Sequence, residues 1–335
     1  MEYRVLGRTN LRVSALGFGC GNVGGLMVRG TRAERERAVA RALELGVNFF
    51  DTAPLYGDGV SEEHLGETLQ ALKAQCLVAT KVRLGADGLA DPAKGVTRSL
   101  ETSLRRLRRD RVDLLQLHDP LRAPRADGGP GPDEVLERIL PAFEALRRAG
   151  KVGFVGMTAI GDTPAVHRVL ASGAVDAAQV CFNLLNPSAG FAVPPGFPGQ
   201  DFDRLLTRTR AQGIGVVVIR VLAGGALSGE LARHPIAVPA VDPIASGPDY
   251  ATDVSRAQAL RVLVQDGYVA SLVEAALRFP LVSDAVSTVL LGYSSLEHLE
   301  GAAAAVSKGP LSPQALVRLE ACWKEMARGH RQPSA

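Results

Sequence analysis

Short runs of apolar residues punctuate the chain, and between them apolar residues recur every three or four positions. The short runs predict strands at Leu16–Cys20, Asn48–Ala53, Cys76–Lys81, Asp113–His118, Phe154–Thr158, Ala177–Phe182, Gly215–Arg220 and Val286–Gly292. Most are continuously apolar rather than alternating, which suits parallel strands buried on both faces. The intervening periodicity predicts helices. Thr31–Leu45 opens on a capping threonine, carries Val39, Ala42 and Leu43 on one side and stops at Gly46. Thr97–Arg109 sets Leu100, Leu104 and Leu107 on one face and an arginine cluster on the other, read as a solvated outer face. Asp133–Arg148 turns Leu136, Leu140 and Phe143 inward, with a kink expected at Pro141. Further helices are expected at Pro164–Ala171, Asp201–Gln212, Ser255–Gln265 and Ser271–Arg278.

Strands alternating with helices, eight times over, describe an α/β protein of the (β/α)8 TIM barrel type. Tyr3–Leu6 and Leu11–Val13, around Gly7-Arg8-Thr9-Asn10, predict an N-terminal β-hairpin placed to plug the barrel bottom. Ser295–Val306 and Ser312–Arg328 are two extra C-terminal helices. No linker rich in Pro, Gly and Ser divides the chain, so residues 1–335 are read as one barrel domain. Three long loops follow strands, at Asp119–Pro132, Leu184–Gln200 and Ala223–Thr252, and so fall on the catalytic face of a barrel. Phe191, Phe197 and Leu185 offer an apolar pocket wall.

Composition narrows the classes further. The formal net charge is +3 and the arginines are scattered, which argues against nucleic acid as the main partner. Cys20, Cys76, Cys181 and Cys322 form no C-x-x-C pair, so free thiols in a reducing compartment are expected, and no metal site. No apolar run reaches the ~18 residues of a membrane span, and Met1–Val5 does not open a secretory h-region. A cytoplasmic protein that does not enter a membrane is the expectation.

Gly19-Cys20-Gly21-Asn22-Val23-Gly24 matches G-x-G-x-x-G after a strand, with Asp51 closing the next strand. A Rossmann site requires the motif to open a helix at once, so that the helix N-terminus meets a pyrophosphate. Here Gly25–Gly30 intervenes before the Thr31 cap. A glycine-permitted turn is the preferred reading, and a Rossmann dehydrogenase is the weaker alternative.

Four polar residues stand at strand ends or just beyond: Asp51, Tyr56, Lys81 and His118. In a barrel these ends converge on one mouth. Reducing a carbonyl needs a hydride on carbon and a proton on oxygen. A phenol with its ordinary pKa of ~10 is a weak acid at neutral pH, and a nearby ammonium is expected to lower it. A carboxylate holds that ammonium charged, and a neutral imidazole orients the carbonyl oxygen. The expected roles are therefore Tyr56 as acid/base, Lys81 as its tuner, Asp51 as the partner of Lys81 and His118 as the orienter.

The run Asp51-Thr52-Ala53-Pro54-Leu55-Tyr56-Gly57, followed by Ser61-Glu62-Glu63-His64-Leu65-Gly66, Ala79-Thr80-Lys81 and Leu115-Gln116-Leu117-His118, resembles the aldo-keto reductase superfamily. The likeness continues through Gly150-Lys151-Val152, Gln179 with Asn183-Leu184-Leu185, Leu222-Ala223-Gly224-Gly225 and Gly292-Tyr293-Ser294-Ser295-Leu296-Glu297-His298. The resemblance implies an NAD(P)-dependent oxidoreductase that interconverts a small-molecule aldehyde or ketone and its alcohol. It implies an extended dinucleotide bound without a Rossmann domain. Thr158 and Gln179 would hold the nicotinamide carboxamide, the alternative for Gln179 being a buried amide satisfied by backbone. Leu222, Gly224 and Gly225 would face the pyrophosphate, and Ser294, Ser295 and His298 the adenosine end. Gly19 and Cys20 join this cofactor-binding set.

The chain departs from the family pattern at several points. Thr158-Ala159 stands where Ser-Asn is frequent, and Gly301-Ala302 where Glu-Asn is frequent. Ile219 replaces the aromatic that often stacks on the nicotinamide. Arg220 stands where a small residue is usual, and could reach the pyrophosphate or pair with an acidic residue at the rim. Gly292 and His298 occupy the positions that usually present Lys or Arg to a 2′-phosphate. NADP is the expected cofactor on family habit, with NAD possible. The family also implies a monomer or weak homo-oligomer, and it leaves open a non-catalytic nicotinamide-binding regulatory subunit.

Overall fold

The computed structural model describes residues 1–122 and 129–330. Two short strands, β1 (Tyr3–Val5) and β2 (Arg12–Ser14), pair antiparallel as the expected hairpin. Eight parallel strands close the barrel: β3 (Leu16–Gly19), β4 (Phe49–Asp51), β5 (Leu77–Val82), β6 (Val112–Leu117), β7 (Val152–Thr158), β8 (Ala177–Cys181), β9 (Gly215–Ile219) and β10 (Val286–Gly292). The helices are α1 (Leu26–Arg29), α2 (Arg32–Glu44), α3 (Val60–Ala71), α4 (Gly85–Ala90), α5 (Pro92–Leu107), α6 (Pro132–Glu134), α7 (Leu140–Arg148), α8 (Thr163–Ala171), α9 (Leu205–Ala211), α10 (Tyr250–Ala259), α11 (Val262–Gln265), α12 (Leu272–Arg278), α13 (Leu296–Ser307) and α14 (Pro313–His330). The architecture is a (β/α)8 TIM barrel with an N-terminal hairpin and two helices added at the C-terminal end.

Side chains of a strand alternate between two environments. Those facing the axis stack in layers. The lowest layer combines Phe49, Ala79, Leu114, Ala177 and Val217, and the hairpin's Leu6 and Val13 pack onto it from below. The hairpin therefore plugs the bottom, as expected. The opposite faces, including Phe18, Phe50, Leu115, Val180 and Val216, join one continuous core with helix residues such as Leu100, Phe143, Val166 and Leu205. Burying each such side chain contributes about 1.5–3 kcal/mol.

Several boundaries differ from expectation, each for a local reason. The Thr97–Arg109 helix starts five residues earlier, where Asp91 caps the Lys94 N–H and Pro92 fills the first turn. The Asp201–Gln212 helix is confined to α9, because Asp203 and Arg204 hold positive φ (46° and 50°). The segment at Ser255–Gln265 begins instead at Tyr250, behind an Asp249 cap, and breaks before α11. The kink at Pro141 is a π-helical turn over Val135–Ile139, in which the Leu140 N–H reaches the Val135 carbonyl. Helix α3 was not predicted, since Gly66 interrupts its Leu65/Leu69 stripe.

The three long loops separate in role. Leu184–Gln200 does not line the main cavity. Its Phe191 packs with Phe182, Phe279 and Trp323, and Trp323 donates its indole N–H to the Leu184 carbonyl at 2.9 Å. Leu185 is therefore core, and Phe191 and Phe197 are half-buried against the core and not pocket wall, because α14 draws this loop inward. The Ala223–Thr252 loop does cover the cavity. Part of Asp119–Pro132 lies outside the described residues, and its described residues are absent from the lining.

Candidate active site

One layer above the apolar plug, the axis-facing positions become polar. Asp51 follows Phe49 on β4, Lys81 follows Ala79 on β5, Gln116 follows Leu114 on β6, and Gln179 follows Ala177 on β8, each two residues further on. Lys81 Nζ is fully buried and forms an ion pair with Asp51 Oδ1. The same ammonium donates to the Thr52 carbonyl at 2.9 Å and lies 3.1 Å from Tyr56 Oη. The Tyr56 and His118 rings stand perpendicular, centroids 5.9 Å apart. The four residues picked out at strand ends thus meet in one place.

The electrostatics follow from burial and these bonds. Burial pulls the Lys81 ammonium down, but Asp51 and Tyr56 outweigh it and leave its pKa above the usual value. Burial pushes the Asp51 carboxyl up, and Lys81, Gln116 and Gln179 pull it back. For Tyr56 the expected net lowering by Lys81 is corrected. Burial is the larger effect and Asp51 adds to it, so the phenol sits above its ordinary value although Lys81 draws it down. Burial, with Lys81 and Arg83, depresses His118 to about 3, so the imidazole is neutral. Its Nδ1 is buried without a hydrogen-bond partner among the described residues.

A cavity of ≈ 830 Å³ extends from Tyr56 and His118 past Gln179 and Ile219 to Arg220, Leu222–Gly225, Gly292 and His298. Gly224 and Gly225 take positive φ (70° and 116°), which turns the chain sharply beside the cavity. The loop above is strapped down from the opposite wall. Arg29 donates to the Ile236 carbonyl at 2.6 Å, and within the loop Arg233 donates to the Gly224 carbonyl at 2.7 Å. Arg220 holds φ 56° and donates to the Asp242 carbonyl at 3.2 Å, so its guanidinium carries no ion pair among the described residues. The expected alternative of a rim carboxylate partner is thereby corrected.

Most of the proposed cofactor residues line this cavity: Gly19, Thr158, Gln179, Ile219, Arg220, Leu222, Gly224, Gly225, Gly292, Ser294 and His298. Cys20 and Ser295 do not. Alternation turns Gly19 inward and the Cys20 thiol outward into the core, and Ser295 caps α13 by accepting the His298 N–H. Ser294 reaches the cavity, but its hydroxyl donates to the Gly24 carbonyl at 2.7 Å. Gln179 is satisfied, though not by backbone: its Nε2 donates to Asp51 Oδ2 at 2.7 Å and its Oε1 meets Thr158 Oγ1 at 3.5 Å.

The glycine motif proves to be packing. A Cβ at Gly24 would lie 2.5 Å from backbone atoms of Gly292 and Tyr293, and one at Gly19 would lie 2.9 Å from the Leu291 carbonyl oxygen. With only the four-residue α1 after it, in a closed barrel, the motif is no Rossmann turn. Strand and motif reasoning missed Gln116, Asn22, Arg233, His234 and Tyr250. Gln116 had a usable signal, since it faces the axis two residues before His118. Asn22 Oδ1 is buried in the cavity wall without a partner among the described residues. His234 meets His298 edge to face, centroids 5.6 Å apart.

A closed parallel barrel with a buried Lys–Asp pair beneath a mouth tyrosine, opening on a long cavity, defines a class of oxidoreductase. The family model described as the Aldo/keto reductase family matches residues 15–324, and the chain belongs to that family. It is 30% identical to L-galactose dehydrogenase of Arabidopsis thaliana, over 92% of this chain and 89% of the relative. It is 27% identical to pyridoxal 4-dehydrogenase of Microbacterium luteolum, over 89% of this chain and 91% of the relative. The holo form of an aldo-keto reductase from Bacillus halodurans superposes with a TM-score of 0.71 at 25% identity, covering 99% of this chain and 100% of that one. No helix among the described residues is long and apolar enough to cross a membrane.

Proposed function

We propose that the protein interconverts a small aldehyde or ketone and its alcohol with a nicotinamide dinucleotide, and that Tyr56 transfers the proton. The observation that carries this reading is Lys81 Nζ, bonded at once to Asp51 and to Tyr56 Oη at the foot of the cavity. The bound dinucleotide supplies or accepts the hydride. In reduction, Tyr56 Oη–H gives its proton to the carbonyl oxygen as the carbon gains hydride, and the phenolate left behind faces the Lys81 ammonium. Neutral His118 orients the same oxygen without competing for the proton. Since burial leaves Tyr56 protonated at neutral pH, the free site is set for reduction. Alcohol oxidation requires the phenolate and so gains with rising pH.

The cavity fits a dinucleotide on its own features. Arg220 is a partly buried cation whose guanidinium donates to the Asp242 carbonyl and forms no ion pair among the described residues, and Asn22 Oδ1 and His118 Nδ1 are buried polar atoms without partners among the described residues. Arg220 and the turn at Leu222–Gly225 would meet the pyrophosphate, Gln179 and Thr158 the carboxamide, and Ile219 the nicotinamide ring. Gly292 and His298 at the adenosine end offer no fixed charge, so NADP is preferred only weakly over NAD. The test is to mix purified protein with NADPH or NADH and a panel of aldehydes and ketones. Consumption of reduced cofactor that depends on the carbonyl supports the reading. Tight cofactor binding without turnover on any substrate, in either direction, would favour a sensing subunit instead.

A further inference from the structure

Lys81 is not the only group holding Asp51. Gln116 on β6 and Gln179 on β8 both donate from Nε2 to one carboxylate oxygen, Oδ2, at 2.9 and 2.7 Å, while Lys81 takes Oδ1. The two carboxamides differ in surroundings. Gln179 lines the cavity and has Thr158 beside its oxygen. Gln116 is fully buried, away from the cavity lining, and its Oε1 has no partner among the described residues. An apolar side chain of similar size would fill this place without stranding a buried acceptor. The hydrogen bond that the Gln116 side chain makes is the one to Asp51.

We propose that Gln116 is a positioning residue for proton transfer: its amide keeps Asp51 ionised and in register with Lys81, and through Lys81 it sets the proton affinity of Tyr56. This rests on the reading of Tyr56 as the acid/base. A buried carboxylate stays charged only if donors satisfy it. Asp51 in turn holds Lys81 protonated, and the ammonium draws the phenol down. Loss of the Gln116 donor makes Asp51 more basic and weakens the hold on the Lys81 proton, and because Lys81 acts on the phenol more strongly than Asp51 does, the phenol rises. The other groups facing the pair do not compete near neutral pH. Cys20, after β3, stays a thiol because burial raises it. His118, after β6, stays neutral. Arg220, after β9, and Arg83, after β5, add positive charge nearby.

The test compares Gln116→Leu with the natural chain by thermal melting and by the pH profile of alcohol oxidation. The expected melting temperature is within a few degrees of the natural value or above it. The oxidation profile moves up by about one pH unit, so that at pH 8 kcat falls about tenfold with KM unchanged, and the deficit closes as pH rises. A folded variant with a superimposable profile overturns the proposal, as does a large loss of stability without a shift. If Gln116→Leu does not fold, Gln116→Met is read in the same way, and failure of both makes the side chain a scaffold rather than a positioning group. Tyr56→Phe, run beside them, separates the two ideas. If it keeps full turnover, the acid/base reading itself fails; if it is inactive while Gln116→Leu is unshifted, only the Gln116 role fails.

Discussion

Replacing Lys81 with Met would strand Asp51, which is 1% exposed, with a negative charge and no cation. Breaking a buried pair by removing one partner costs about 3–5 kcal/mol, more than the pair itself is worth against apolar residues. For 335 residues the unfolding entropy is roughly 0.7 kcal/mol per degree, so the expected loss is about 4–7 °C in melting temperature. Two conditions sharpen the expectation. Asp51 keeps its bonds from Gln116 and Gln179, which places the loss toward the lower figure. Asp51 also escapes by taking a proton. Its folded pKa in the variant is raised above the unfolded value of ~3.9, so the stability tied to the neutral form is present below that value and is lost as pH rises through the folded pKa. The deficit of Lys81→Met therefore grows from pH 5 to pH 8. The double variant Asp51→Asn/Lys81→Met has no charge to strand and should recover most of the loss. Urea melts of the natural chain, both single variants and the double variant at pH 5 and pH 8 make the assay. A double variant no more stable than Lys81→Met, or a deficit independent of pH, would refute the reasoning.

Further outcomes follow from the same geometry. Arg220→Met removes a partly buried cation that has no ion-pair partner among the described residues, so thermal stability should hold. Calorimetry should show dinucleotide affinity falling about 10–100-fold, the value of one charge-assisted hydrogen bond, and an unchanged Kd would take Arg220 out of the pyrophosphate site. Gly24→Ala places a Cβ 2.5 Å from the Gly292–Tyr293 backbone, and overpacking of this kind costs about 1–3 kcal/mol; a natural melting temperature in that variant would mean the loop yields freely. His118, held near 3 in the folded chain against ~6.5 unfolded, contributes stability above pH ~6.5 that is lost as pH falls from there toward 3. His118→Gln should flatten the stability profile across that window, and NMR should find the imidazole neutral at pH 5.

Much of this arrangement is visible in the sequence because barrel physics is local. Continuously apolar strands, the Thr31 cap and the polar ends at Asp51, Lys81 and His118 needed no knowledge of distant contacts. Strand alternation, carried one step further, would also have found Gln116 and excluded Cys20, which lies next to inward-facing Gly19. The Ser295-x-x-His298 spacing is an N-cap pattern, and it explains why that hydroxyl holds a helix rather than a ligand. Other features were not legible. The strap from Arg29 to Ile236 spans 207 residues and joins two loops without periodicity. The sign of the Tyr56 shift depends on how deeply the ring is buried against how near Lys81 lies, and neither quantity is written in a motif.

The central claim is that Tyr56 moves the proton while the rest of the cavity holds the dinucleotide. Tyr56→Phe tests it most directly, measured for carbonyl reduction and for NADPH affinity on the same preparation. General acid catalysis is worth about 10²–10⁴-fold, so kcat should fall by that factor while the Kd for NADPH stays within about twofold. Turnover at the natural rate in Tyr56→Phe would contradict the account.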